Sequence, residues 1–273
     1  MASNRTHFRN VHIYDGSNPD VLLGGLIQNG SVTEANFLQM LWVILVTEVP
    51  IRVRHRTSGN IISMTNSRLQ IGTYDVYCDS AIQVSDELWV QRINSFNVSG
   101  REDAFREGIR ARDGKCVITA HIFPLEKENL WIEWGYGQWI TDMEDTFGVS
   151  KINSCQNGFL LKADVHQAFD QYRVSVNPDD NYKIVVFSID MLGIDGRSLD
   201  PVCRNPDDPH RVCDALLRWH FRQSVLANMR EAGEPIFEHD FPPGTDMMRE
   251  IREGPCAQER FELELAARLG VAI

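Results

Sequence analysis

The sequence predicts an α+β fold, on three observations. Ile51 to Arg56 alternates strictly between apolar and cationic side chains, the two-residue repeat of a half-buried strand. VSVNPDDNYKIVVFSID reads as two strands joined by an Asn-Pro-Asp-Asp turn. Val212 to Arg230 carries the helical repeat of a long amphipathic helix, and no internal repeat or low-complexity tract suggests a solenoid.

In chain order, Phe8 to Tyr14 reads as a short strand. SVTEANFLQMLWVILV then reads as a helix that opens with a capping box from Ser31 to Glu34. Apolar residues cover most of that helix's circumference, so it belongs in an N-terminal core and carries no chemistry. Strands follow at Ile51 to Arg56 and Ile71 to Cys78. The first puts Arg52, Arg54 and Arg56 on one face, which is either a solvated strand face or a surface for phosphate contacts. A second basic group, Arg101, Arg106, Arg110, Arg112 and Lys115, lies on and just after a helix leading into the centre of the chain. Arg106 and Arg110, four apart, share a face of it. Beyond Arg230, Pro242-Pro243-Gly244 marks a loop within FEHDFPPGTD, and a last helix is expected over Gln258 to Leu269.

At 273 residues with 43% hydrophobic and 24% charged, the chain has the composition of a folded protein, with one large domain or two small ones. The first residues hold no apolar run of the kind a signal peptide needs. The longest apolar stretch, Leu41 to Val46, is far short of a membrane span, so an intracellular protein, nuclear or cytoplasmic, with no membrane partner is expected. Six dispersed cysteines without a CxxC pair fit reduced thiols and do not signal a structural zinc cage. The net charge of −11 excludes a protein that coats nucleic acid nonspecifically. That charge is uneven: residues 1–119 carry 12 basic and 12 acidic groups, residues 120–200 carry 6 and 13, so the acidity lies in the central and C-terminal parts.

Three short segments in the centre carry chemistry when taken together: AHIFP at Ala120 to Pro124, NGFLL at Asn157 to Leu161, and DVHQAFD at Asp164 to Asp170. A lone histidine of this kind is usually structural, and a lone Asn-Gly is usually a turn. The order His, Asn, His, with the last on a helical segment, is what points to a site. Phosphodiester hydrolysis needs a base to activate water and a cation to neutralise charge on the phosphate, and imidazole plus a hard divalent metal supply both. His166 and Asp170, four apart on a helix, project from one face and can converge on a single ion.

RNVHIYD, IRARDGKCVIT, AHIFPL, INSCQNGFLLKADVHQAFDQYRVSVNPDDNYKIVVF, LLRWHFRQSVLANMR and GEPIFEHDFPPGTDM carry a likeness over nearly the whole chain. In these stretches it resembles the fungal HNH endonuclease-domain proteins, the ββα-metal nucleases. The resemblance implies His121 as general base, Asn157 as the residue that braces the two-stranded ribbon and keeps the base oriented, and His166 as metal ligand, with Asp170 as a second. It also implies a β-hairpin and a helix gripping one divalent metal ion, Mg²⁺, Mn²⁺ or Zn²⁺. Two departures stand out: Ala120 occupies the position before the base where many relatives carry a ligand, and Thr119 runs directly into Ala120 where related sequences have a further segment.

Between His121 and Asn157 lie Trp131, Trp134, Tyr136 and Trp139, which either stack on nucleobases or pack the insertion onto the body. In RWHFRQ, Arg218, His220 and Arg222 read as a structural polar face rather than a second site. The architecture expected is an N-terminal mixed α/β region (1–100), an HNH nuclease-like domain built on a central ββα-metal unit (101–190), and a mainly helical C-terminal region packing on it (191–273). The expected function is a metal-dependent endonuclease acting on nucleic acid, DNA ahead of RNA, with Arg52, Arg54, Arg56, Arg106, Arg110, Arg112 and Lys115 meeting the backbone. The alternative is a catalytically degenerate protein of the same fold that binds nucleic acid or a protein without cutting.

Overall fold

The computed structural model describes residues 8–90, 102–114, 118–144 and 149–230. Arg101, Lys115, the Pro-Gly loop after Arg230 and the last expected helix lie outside these residues. The N-terminal part is a four-stranded mixed sheet. Strand β1 (Val11–Asp15) pairs antiparallel with β2 (Leu22–Leu26). Helix α1 (Glu34–Ile44) runs into β3 (Leu45–Val46); β4 (Arg52–His55), β5 (Gly72–Tyr77) and β6 (Gln83–Val84) follow. The sheet order is β2-β1-β5-β4, with β1 and β5 parallel, while β3 pairs with β6. Along β4, Val53 and His55 turn inward and Arg52 and Arg54 outward, as the alternation predicts.

Helix α1 starts later than its sequence suggests. Thr33, not Ser31, is the cap: its hydroxyl accepts from the Asn36 amide at 3.2 Å, and the Asn36 side chain accepts from the Thr33 amide at 3.3 Å. The Ser31 hydroxyl is drawn instead to the Asp195 carboxylate, 2.8 Å away, a partner 164 positions along the chain. Phe37, Leu41 and Ile44 from α1 pack on Val11, Ile13, Tyr74 and Val76 to form the first core.

The central part runs α2 (Glu102–Asp113), β7 (Ile118–His121), α3 (Glu128–Glu133), β8 (Gly158–Leu161), α4 (Ala163–Asp170), β9 (Val174–Asn177) and β10 (Lys183–Val186). The last two form the predicted antiparallel hairpin, with Lys183 opposite Asn177 and φ positive at Asn181 and Tyr182 in the turn. A second core gathers Phe123, Trp131, Phe159, Phe169, Leu216 and Trp219. The dense aromatics of the insertion pack there: Phe123 meets Trp131 at 5.3 Å and Trp219 at 4.6 Å, and Tyr136 stacks on Trp139 at 4.3 Å.

Helix α5 (Asp214–Met229) belongs to both cores. Leu216, Leu217 and Trp219 enter the second, Val225 and Met229 the first. Residues 218 to 222 do not form one polar face. Arg218 pairs with Asp179 and Arg222 with Glu87 at the surface, whereas His220 is fully buried, stacked on Phe169 at 3.6 Å with Nδ1 2.8 Å from the Ser175 hydroxyl. At the far end, the buried Arg9 guanidinium donates to the carbonyls of Asn228 and Arg230 at 2.6 and 3.2 Å. Gly24 permits the approach of β2 to this helix end, since a Cβ there would stand 2.2 Å from the Met229 carbonyl oxygen. The architecture is α+β, and among the described residues no helix is long and apolar enough to cross a membrane.

Candidate active site

Strands β7 and β8 form an antiparallel ribbon in which Ala120 faces Phe159 and His121 faces Gly158. Helix α4 follows β8 after one residue and lies against β7, so strand, strand and helix make one ββα unit. Thr119 and Ala120 are consecutive residues of a regular strand, paired with Leu160 and Phe159. Ala120 is fully buried.

His121 ends β7, partly buried. Its ring lies flat on Phe105 of α2, with centroids 3.9 Å apart and planes 8° from parallel. Gly158 makes room for that sandwich: a Cβ there would come within 2.5 Å of the Phe105 ring and 2.6 Å of the Ala120 carbonyl oxygen. Phe105 was not among the residues singled out from sequence. The signal available was its place four residues before Ile109, on the apolar stripe of α2, and both are buried.

Asn157 ends a 3₁₀ turn over Cys155–Asn157 and is fully buried. Its Oδ1 accepts from the Phe123 amide at 2.8 Å, and its Nδ2 donates to the carbonyls of Phe123 and Ile152 at 3.2 and 2.8 Å. The Ile122 amide donates to the Asn157 carbonyl at 2.8 Å. The chain leaving His121 is therefore fastened at two consecutive residues to the start of β8.

On α4, His166 Nε2 lies 3.2 Å from Asp170 Oδ2, each side chain 26% exposed. One imidazole nitrogen and one carboxylate oxygen thus converge at an accessible spot, a donor set that suits a borderline or hard divalent ion with water completing its shell. These two residues and His121 do not form a compact three-donor cluster. Among the described residues, the group of three that does is elsewhere, at Asp142, Cys155 and His210.

The arginines divide by environment. Arg110 is exposed and Arg106 partly so, on the helix that delivers Phe105 to His121. Arg112, expected among the phosphate-binding cations, is 2% exposed. Its five N–H groups are all spent inside: two on the Asp113 carboxylate and three on the carbonyls of Cys155, His210 and Gly158. Asp113 in turn accepts from the Leu160 amide of β8 at 2.8 Å. Burial of this pair removes Arg112 from any surface that a phosphate can reach. On β4 and just after it, Arg52 pairs with Asp79 at 3.1 Å and Arg56 with Asp75 at 2.6 Å, and Arg54 bonds the Tyr77 hydroxyl. Two of the three cations of the expected face thus have carboxylate partners, Asp75 on β5 and Asp79 just beyond it. The Asp75 hydrogen bond holds the Arg56 guanidinium above its usual range.

Comparison with known proteins gives two family matches. Residues 98–177 match the family model described as HNH endonuclease, which takes in α2, the β7–β8 ribbon and α4. Residues 8–83 match a domain of unknown function (DUF8573), which takes in the N-terminal sheet. No curated protein and no solved structure matches the chain. The chain is an HNH-domain protein, with the domain over its centre.

Proposed function

We propose that this HNH domain is a metal-dependent endonuclease that hydrolyses phosphodiester bonds in nucleic acid, DNA in preference to RNA. The observation that carries the reading is the assembly of His121, Asn157, His166 and Asp170 on one strand-strand-helix unit within the matched residues. In it, His121 takes the proton from the attacking water, its ring held by Phe105 and its strand end by the Asn157 bonds. His166 and Asp170 hold one divalent ion, Mg²⁺, Mn²⁺ or Zn²⁺, which when bound supplies Lewis-acid stabilisation of the phosphate charge. Arg106 and Arg110 steer the backbone toward the ribbon, and Lys115 extends this basic group in sequence. Arg52, Arg54 and Arg56 belong to the N-terminal sheet and meet nucleic acid only by exchanging their present partners.

The test is nicking of supercoiled plasmid with Mg²⁺ or Mn²⁺, comparing wild type with His121→Ala. Metal-dependent cleavage that disappears in the variant is expected. One observation favours the second reading, a degenerate domain that binds without cutting: Ala120 is buried and offers no ligand beside the base. Wild-type activity no higher than that of His121→Ala, on both DNA and RNA, would establish that reading.

A further inference from the structure

Three residues from distant parts of the chain meet beside the HNH unit. Asp142, in the insertion, Cys155, at the start of the 3₁₀ turn, and His210, before α5, each offer a ligand atom, all within 4.8 Å of one another. We infer that Asp142, Cys155 and His210 form a zinc-type site, separate from the His166–Asp170 pair and independent of whether the protein cuts nucleic acid.

The donor set selects the ion class. One thiol sulfur, one imidazole nitrogen and one carboxylate oxygen suit Zn²⁺ and are poor ligands, as a set, for Mg²⁺ or Ca²⁺. Tetrahedral zinc holds such atoms about 3.3–3.7 Å apart, so closure requires shifts of roughly an ångström. A thiolate and a carboxylate together balance the ion's two charges. Burial, together with the nearby Asp142, pushes the Cys155 thiol up.

The surroundings hold the ligands in place. The Asp142 side chain is 3% exposed, with Oδ1 accepting from the Ser154 hydroxyl and Oδ2 3.0 Å from His210 Nδ1. The Gln156 amide joins the residues flanking two of the ligands: its Oε1 accepts from the Thr141 amide at 2.9 Å, and its Nε2 donates to the Pro209 carbonyl at 2.6 Å. Arg112 ties Cys155 to His210 by donating to their carbonyls at 3.0 and 2.7 Å. Such outer partners orient metal ligands and set their affinity. His210 is 53% exposed, which leaves the fourth position open to water. Cys155 and Asn157 share one 3₁₀ turn, so an ion here would stiffen the segment from which Asn157 fastens the chain after His121.

The test is titration of the metal-stripped full chain with Co²⁺, followed by displacement with Zn²⁺. A thiolate-to-cobalt charge-transfer band in the near ultraviolet, saturating at a single equivalent and erased by Zn²⁺, is expected. It should vanish in Cys155→Ser, persist in His166→Ala and Asp170→Asn, and titrate at least about tenfold more weakly in His210→Ala. Because His210 is half exposed, its variant folds and decides the matter even if Cys155→Ser does not. Absence of the band in wild type, its survival in folded Cys155→Ser, or unchanged affinity in His210→Ala would each overturn the site.

Discussion

The imidazole of His121 is stacked on Phe105, with ring centroids 3.9 Å apart and planes nearly parallel. If His121 is the base proposed above, Phe105 sets the plane of its ring. Phe105→Leu keeps an apolar side chain and loses the flat partner. Its cleavage rate should fall by about ten- to a hundredfold, the scale of a small misplacement of a catalytic group, with unchanged metal affinity. Single-turnover nicking paired with calorimetric Mn²⁺ titration measures both, and a rate equal to wild type would remove Phe105 from the site.

Asn157→Ala strips partners from the Phe123 amide and from two carbonyls in a fully buried place. At about 1–3 kcal/mol for each buried group left unsatisfied, the loss should exceed roughly 3 kcal/mol. Denaturant unfolding gives the total, and faster hydrogen exchange at the Phe123 amide localises it.

Arg112 and Arg110 sit two positions apart and should behave oppositely. Arg112→Lys leaves three donors for five buried acceptor contacts and should lower the thermal midpoint with little change in nucleic-acid affinity. Arg110→Ala should leave the midpoint alone, weaken binding and reduce the slope of log K against log salt by about 1. Melting curves and a salt series of binding isotherms distinguish the two.

Asp190 closes the loop after β10 by accepting from the amides of Leu192, Ile194 and Asp195 at 3.1, 3.2 and 2.9 Å. Burial works to raise its carboxyl, but the amides outweigh it and hold the group below the usual carboxylate range. A carboxyl depressed in the folded state contributes stability above its unfolded pKa and loses it as pH falls through the folded one. The thermal midpoint measured from neutral pH to about pH 2 should therefore decline less steeply in Asp190→Asn than in wild type.

What the sequence made legible was local. The alternation around Arg52 and Arg54, the turn between β9 and β10, and the helical placement of His166 and Asp170 all depend on neighbours a few positions away. What it concealed depends on distant partners. Ser31 leaves the helix cap for Asp195, and Arg112 turns inward for Cys155 and His210, 43 and 98 positions on. Nothing in the spacing of cysteines and histidines marks Asp142, Cys155 and His210 as neighbours, because tertiary packing of three loops brings them together. A cationic strand face reads as a binding surface until Asp75 of the adjacent strand and Asp79 just beyond it are known to pair with Arg56 and Arg52.

The position of α5 in both cores governs when the protein becomes competent during synthesis. The N-terminal sheet emerges from the ribosome first, and the ββα unit next, yet each lacks a wall until residues 214–229 are outside the exit tunnel. Until then the apolar faces that Trp219 and Met229 cover in the folded chain lack those side chains. The ββα unit thus gains the wall that Leu216, Leu217 and Trp219 supply only after α5 has been translated.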